Sequence, residues 1–397
     1  MSTTVTRWLT VVPLLASVTF YLCVAQFSES SEEDTSSQDS YPYCSNGNGS
    51  TLCVPAELCV NGRINSAGIS IISKRISDDD ECDSFGVVCC EAPKSIWAKP
   101  TTTTITTANA TTAYEVPDPD WSGQCGERNV IGTSTGNETS RWEFPWSVGL
   151  FTTVNIGLVE MELFLCGGIL IDDQAVLTAA VCVQQQNRSN LFIHIGRWNI
   201  NDANEPSIQV IHVESVKVHR RYSASNRVGN IALLYLNQSA NTGPTSNRVC
   251  LPDGQNFKLD ASCYVVGWMR NSAADGSNSL LKLEAEHADR DMCRNRIRQL
   301  TRTTTYQLPK EHICADYNDE NASCGLAKGS SMVCALHKNS EQFFLVGIAS
   351  HTVGSCKSNL AMDVFQSTQH YISWIDEIMI SLNRYTSYYR PDPSNDF

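Results

Sequence analysis

Beyond its first 25 residues, this 397-residue chain contains no apolar run approaching 18 residues, so no later segment is long enough to cross a bilayer as a helix. Basic side chains are scarce: 29 Lys and Arg stand against 42 Asp and Glu, a formal net charge of −13. Phosphate recognition draws on clustered Lys and Arg, so a nucleic-acid partner is disfavoured, and a polyanionic ligand with it. The zinc-type spacings CxxC and HExxH are absent, which weakens the case for a metal; no metal and no cofactor are expected. No internal repeat is present.

Hydrophobic residues make up 42% of the chain, enough for a sizeable core in a protein with room for more than one domain. Residues 1–25 carry one early charge, Arg7, then an apolar stretch from Trp8 to Val24 broken by Pro13, Ser17 and Thr19, and a small-residue exit at Cys23-Val24-Ala25. The acids Glu29, Glu32, Glu33 and Asp34 follow, so the segment reads as a cleaved secretory signal peptide rather than an anchor. The mature protein is expected to be soluble, secreted and extracellular. Loss of Cys23 leaves an even number of the 17 cysteines, which suits full disulfide pairing in an oxidising space.

Residues 26–43 are rich in Ser, Glu and Asp and bury too little apolar surface to offset their ordering entropy, so they form an acidic flexible leader. Residues 44–90 hold Cys44, Cys53, Cys59, Cys82, Cys89 and Cys90 in a stretch too short to be held by a core alone. Residues 91–124 form a Thr-rich linker, with Thr101–Thr112 of the kind that stays extended and carries O-glycans. From 125 to 382 short β-type runs alternate with polar turns: Trp146–Phe151, Phe164–Ile171, Leu191–Ile195, Ile208–Val218, Ile231–Leu236, Cys263–Trp268 and Phe343–Ala349. That spacing predicts an all-β barrel or sandwich. Near the end, Ile372, Ile375, Met379 and Leu382 recur at helical intervals with Asn383 as a stop, and residues 383–397 read as a disordered tail.

Three segments carry chemistry. The first runs Cys166-Gly167-Gly168-Ile169-Leu170-Ile171 to Val176-Leu177-Thr178-Ala179-Ala180-Val181-Cys182, the second is Asn230-Ile231-Ala232-Leu233-Leu234, and the third is Cys324-Gly325-Leu326-Ala327-Lys328-Gly329-Ser330-Ser331-Met332-Val333-Cys334. Together they resemble the trypsin-like serine protease family over nearly all of residues 125–382, which implies a two-barrel module with a C-terminal helix. The resemblance places Val181 where the family has its histidine, Asn230 where it has the aspartate that orients that histidine, and Lys328 where it has the nucleophilic serine. A serine hydroxyl is a weak nucleophile unless a neighbouring base takes its proton, and valine accepts none. Leu326 replaces an oxyanion-site glycine, and Ala327 replaces the aspartate that pairs with a freed N-terminus. The stretch Arg128-Asn129-Val130-Ile131-Gly132 stands where the family has its activation sequence. Ala322 replaces a specificity aspartate, and Asp363 and the segment Ser350-His351-Thr352 are expected to crowd the pocket. A Ser-Lys dyad of Lys328 with Ser330 or Ser331 has nothing to support it, and His194, His212, His219 and His351 read as structural or surface residues.

The resemblance further implies the bridges Cys166–Cys182, Cys263–Cys334, Cys293–Cys314, Cys324–Cys356 and Cys125–Cys250, each contributing on the order of 3 kcal/mol through loop closure. The N-terminal cluster, ending in adjacent Cys89 and Cys90, resembles the clip domain of arthropod proteases, which implies Cys44–Cys89, Cys53–Cys82 and Cys59–Cys90. A clip domain before a degenerate protease module resembles the clip-domain serine protease homologues. That implies a non-enzyme, a cofactor or regulator of the extracellular protease cascades of hemolymph behind melanization, prophenoloxidase activation and complement-like responses. Its partners would be cascade serine proteases or zymogens; the alternative is an adhesive protein that recognises microbial surfaces or complement-like opsonins. Lys74-Arg75-Ile76, followed by Asp78, Asp79, Asp80 and Glu81, offers a cleavage site after Arg75. Sequons at Asn48, Asn109, Asn137, Asn187, Asn237 and Asn321 suit a secreted surface.

Overall fold

Alternation of side chains builds most of this molecule. In Leu281–His287 the side chains of Leu281, Leu283 and Ala285 are buried while Glu284 and Glu286 are exposed, the period of two that places one strand face on a core. The computed structural model describes residues 51–55, 59–60, 63–64, 87–91, 123–128, 136–156, 159–202, 205, 207–252, 263–269, 278–317, 325–335, 342–355 and 361–391. The expected signal peptide, the leader and most of the linker lie outside these residues.

In the N-terminal module, β1 (Thr51–Pro55), β2 (Cys59–Val60), β3 (Arg63–Ile64) and β4 (Val87–Glu91) form a four-stranded sheet in the order β1-β4-β3-β2. A disulfide joins Cys59 to Cys90, and Cys89 is disulfide-bonded as well.

Two closed six-stranded barrels follow. The first takes β5 (Ser147–Ile156), β6 (Val159–Asp172), β7 (Ala175–Thr178), β8 (Leu191–Ile195), β9 (Gln209–Val218) and β10 (Ala232–Leu236) in the order β10-β7-β6-β5-β8-β9. The second takes β11 (Cys263–Gly267), β12 (Leu281–His287), β13 (His312–Tyr317), β14 (Ser331–Ala335), β15 (Phe343–Val353) and β16 (Met362–Ser367) in the order β11-β12-β13-β16-β15-β14. Closure leaves no free sheet edge on either barrel. Val148, Leu150, Ile169, Leu177, Ile193 and Leu233 are all fully buried in and around the first barrel, each such side chain stabilising the fold by about 1.5–3 kcal/mol. Disulfides join Cys125 to Cys250, Cys166 to Cys182, Cys263 to Cys334, and Cys293 to Cys314. The other pairings expected, Cys44–Cys89, Cys53–Cys82 and Cys324–Cys356, each involve a residue outside the described ones.

Two points differ from the sequence expectation. A second helix, α1 (Arg290–Thr301), precedes β13. It buries only Cys293 and Ile297, four apart on one face, and its other positions are mostly polar, so no hydrophobic stripe announces it. Its start is set by Asp289, whose side chain accepts from the amides of Asp291 and Met292. The C-terminal helix, α2 (Thr368–Ser381), buries Tyr371, Ile375 and Met379. It ends where expected, with Asn383 in the left-handed region (φ 57°) and Arg384 N donating to Met379 O at 2.9 Å.

The second difference is the segment beyond that helix. Its composition predicts disorder, yet a 3₁₀ turn at Thr386–Tyr389 brings Tyr389 to full burial. The Tyr389 hydroxyl donates to Asp376 Oδ1 at 2.6 Å, Arg390 pairs with the same carboxylate at 2.9 Å, and Leu251 N donates to Tyr389 O at 2.8 Å. One aromatic side chain with a buried place to go outweighs the polar composition around it.

Candidate functional site

The two barrels meet along a seam that glycines permit. Gly167 on β6 donates its amide to Lys328 O at 2.8 Å. Gly329 sits at φ 78°, and a Cβ there would collide with Gly167 O. No other residue fits so close an approach. Gly267 faces the same seam from β11, and the space its missing Cβ leaves is filled by the Ser330 side chain.

On this seam the strand ends carry the residues singled out from the sequence. Val181 lies in the 3₁₀ turn Ala180–Cys182 after β7, half-buried, held by the Cys166–Cys182 bridge. Its backbone amide donates to Asn230 Oδ1 at 2.9 Å. Asn230 is fully buried, and Nδ2 donates to Ser350 Oγ at 2.8 Å. The amide orientation is dictated by the Val181 N–H, which can only donate. Lys328 lines a small recess with Leu326, Ser350, His351, Thr352 and Asp363; Ser350, common to this recess and to the Asn230 bond, links the positions at 230 and 328.

Ser350 is the hub. Its hydroxyl accepts from Asn230 and from Gln366 Nε2 at 3.3 Å, and lies 3.2 Å from His351 Nδ1. Gln366 is held by the Tyr371 hydroxyl at 3.0 Å and donates to Arg227 O, which also faces His312 Nε2 at 3.2 Å. A histidine thus does lie beside a serine. Ser350, however, has no exposed surface and already receives two N–H donors. Burial, reinforced by the charges of His312, Arg227 and Lys328, holds His351 at about 4, neutral at pH 7.

A second network borders the recess through Thr352 and Asp363. Tyr317 donates to Asp363 Oδ2 at 2.6 Å, and Thr352 donates to Oδ1 of the same buried carboxylate. Burial and that neighbouring acid push the Tyr317 hydroxyl well above its ordinary range. Asp363 and His351 both line the recess, which has room for about one water molecule.

Other candidates are dispersed. Ser330 Oγ is buried with no hydrogen-bond partner, so it forms no dyad with Lys328. His194 is buried in the first barrel, stacked on Phe151 at 4.2 Å, and burial followed by the Arg197 charge lowers it to about 3. His219 packs edge-on against Tyr371 and Trp374. His212 is exposed, as are Asn137, Asn187 and Asn237. Arg75, Ala322, Asn48, Asn109 and Asn321 lie outside the described residues. Among the described residues no three His, Cys, Asp or Glu side chains gather to hold a metal, and no helix is long and apolar enough to cross a membrane. Sequence reasoning missed Gln366, Tyr371 and His312, since nothing in a strand end or a helix start announces a partner that is distant in sequence.

Comparison with known proteins places these features. The Trypsin family profile matches residues 133–375, and the profile described as Serine protease Clip domain PPAF-2 matches residues 41–91. The chain is 27% identical over 349 residues to Inactive CLIP domain-containing serine protease A28 of Anopheles gambiae, spanning 83% of this chain and 88% of that one. It is 27% identical over 271 residues to Phenoloxidase-activating factor 2 of Galleria mellonella, spanning 64% and 88%. It is 28% identical over 300 residues to Melanization protease 1 of Drosophila melanogaster, spanning 70% and 72%.

Proposed function

This chain belongs to the trypsin family as a clip-domain serine protease homologue, and from that premise we propose that it is a secreted, non-catalytic cofactor or regulator in an arthropod immune protease cascade. The observation that carries the reading is the buried chain from Val181 through Asn230 to Ser350. Where hydrolysis on this scaffold requires an imidazole and a carboxylate, the side chains are an isopropyl group and a carboxamide, and Lys328 supplies an ammonium in place of a hydroxyl. Valine accepts no proton, a carboxamide carries no charge to stabilise an imidazolium, and an ammonium is no nucleophile at neutral pH. Most of the described polar groups along the seam are bonded to one another, which ties the barrels together.

Relatives named as inactive clip-domain proteases and as a phenoloxidase-activating factor support the cascade role. Cleavage after Arg75 is the activating step in this reading, and it leaves the two halves of the clip module joined by disulfides.

The test is depletion from body fluid followed by add-back of the purified chain, with cascade protease activity and melanin formation as readouts. Depletion should reduce both and add-back restore both, while an Arg75→Ala chain fails to restore them. Unchanged cascade activity on depletion, together with retention on microbes by the purified protein alone, would move the function to adhesive recognition. Labelling by an active-site fluorophosphonate would make it an enzyme.

A further inference from the structure

The protease-like module is entered through residues 123–128, where the backbone has little left to offer a partner. The carbonyls of Gly123, Gln124, Cys125, Gly126 and Glu127, five in succession, each accept a hydrogen bond. Arg248 Nη2 donates to Gly123 O at 2.9 Å, Asn247 Nδ2 to Gln124 O at 2.9 Å and to Glu127 O at 3.3 Å, Gln342 Nε2 to Cys125 O at 3.1 Å, and Phe343 N to Gly126 O at 2.8 Å. Gly126 N donates in turn to Arg248 O at 2.8 Å, and the Cys125–Cys250 bridge fastens the same stretch. A Cβ at Gly126 would collide with Phe343 O, so the segment lies backbone against backbone on the start of β15.

Arg128 ends this run with its side chain packed into the module. It is 11% exposed, its guanidinium lies 4.6 Å from the ring centroid of Phe343 and 5.7 Å from that of Phe144, and its Nη1 is 3.6 Å from Glu143 Oε1. Glu143 is itself buried, and it also takes Lys282 Nζ at 2.6 Å and the Ser140 amide at 2.8 Å. A guanidinium over two aromatic rings and beside a buried carboxylate is an anchored group.

We infer that the Arg128–Asn129 bond, which stands where the family has its activation sequence, is withheld from trypsin-like proteases in the folded chain, and that Arg128 serves instead as an anchor for the module's entry. A protease engages the residues before the scissile bond as an added strand, through their backbone groups, and takes the arginine side chain into a pocket of its own. Here those backbone groups are already bonded within the chain, and the side chain is held by Glu143 and Phe343. Cutting the bond requires the segment to peel away. A segment that must give up several hydrogen bonds to open is open on the order of one-hundredth of the time or less. The inference rests on the cascade reading above and adds a regulation to it: processing by a cascade protease is kept away from the module's entry, whichever upstream bond is cut.

The test is limited digestion of the full chain with trypsin, followed by reduction and identification of the new N-termini by mass spectrometry. Reduction is needed because the Cys125–Cys250 bridge holds the two pieces together. In native wild type a terminus at Asn129 should form at least about a hundredfold more slowly than one at Ser95, which follows Lys94 in the linker. Glu143→Gln keeps an acceptor for the Ser140 amide and removes the charge beside Arg128. With its folding checked by circular dichroism, this variant should release the Asn129 terminus at least about tenfold faster than wild type. An Asn129 terminus formed by native wild type as fast as the one at Ser95 overturns the inference, whether or not the variant folds. Equal rates in wild type and a folded Glu143→Gln overturn the anchoring role. A chain that resists cutting at Arg128 yet fails the depletion experiment would lose the cascade reading and keep this one.

Discussion

Replacing Asn230 by aspartate restores one element expected of an active family member, and the structure predicts what it costs. Asn230 has no exposed surface; its Oδ1 takes the Val181 amide and its Nδ2 serves Ser350 Oγ. A protonated aspartate in its place would reproduce both bonds, accepting with one oxygen and donating with the other. An ionised one has no cation among its hydrogen-bond partners, and it must replace the Nδ2 donor by turning the Ser350 O–H towards itself and away from His351 Nδ1. Burial therefore raises its pKa, and a rise of about 2 is at the modest end for buried carboxyls. The folded state then holds its proton at pH values where the unfolded chain, with a pKa of about 3.9, has released it. Stability is unaffected below about pH 3.9 and falls as pH rises through the window above it, by about 1.4 kcal/mol per unit, reaching about 2.7 kcal/mol at neutrality. Urea midpoints of wild type and Asn230→Asp, compared from pH 3.5 to 7.5, measure this directly. A deficit that is constant across pH, or that shrinks as pH rises, would show that the carboxylate is accommodated and that the hub is not a closed amide network.

Three further outcomes follow from the same geometry. His351 and His194 are held neutral at about 4 and about 3, below the 6.5 of a free imidazole, so the unfolded chain binds protons that the fold refuses; stability is retained above pH 6.5 and falls as pH drops towards 4, by up to about 1.4 kcal/mol per unit for each histidine. Urea midpoints should show this fall, and His351→Gln should flatten it; an unchanged slope refutes the assignment. Tyr389→Ala should cost about 3–5 kcal/mol by cavity formation, and Tyr389→Phe about 1.5–3 kcal/mol through its bond to Asp376, read by thermal unfolding. A loss below about 1 kcal/mol for the alanine variant would mean that the C-terminal strap is not clamped. Finally, a Val181→His, Asn230→Asp, Lys328→Ser triple variant should remain unlabelled by fluorophosphonate and turn over no peptide, because Leu326, Ala327 and the Tyr317–Asp363–Thr352 network stay in place; labelling would show that the cleft walls were never the obstacle.

The barrels were legible where β-type runs were continuous, as in Leu191–Ile195, which the structure reproduces residue for residue. Strands β12, β13 and β16 were not singled out. Leu281–His287 alternates with charged residues, His312–Tyr317 is short and mixed, and Met362–Ser367 runs straight into a helix. Helix α1 hides because two buried side chains suffice to seat it, one of them a disulfide cysteine. The closing strap is governed by Tyr389, whose fate depends on Asp376 and Leu251, and no local pattern encodes that pairing. At the site, Val181, Asn230 and Lys328 could be found by alignment of motifs. Ser350, the partner of Asn230, is visible in the sequence only as a neighbour of the pocket, and Gln366, Tyr371 and His312 not at all. Contacts of long sequence separation are set by tertiary packing, on which local propensity is silent.

A working hydrolase must keep polar groups uncommitted so that a substrate can engage them, and it accepts the resulting loss of stability. Here the corresponding groups are largely committed to one another. Asn230 joins the Val181 amide to Ser350, Gln366 joins Ser350 to Arg227 O and Tyr371, and Asp363 takes both Tyr317 and Thr352. Ser330, filling the space beside Gly267, is an exception with its hydroxyl unpaired, and it is sealed from solvent. The interior of the seam has thus become a structural joint between barrels, and the charges left outward, Arg220 and Arg221, sit on a loop fastened to that joint through Arg227. Under the non-catalytic reading proposed above, influence on another protein would come from binding and from the differential affinity of this seam for that protein's states.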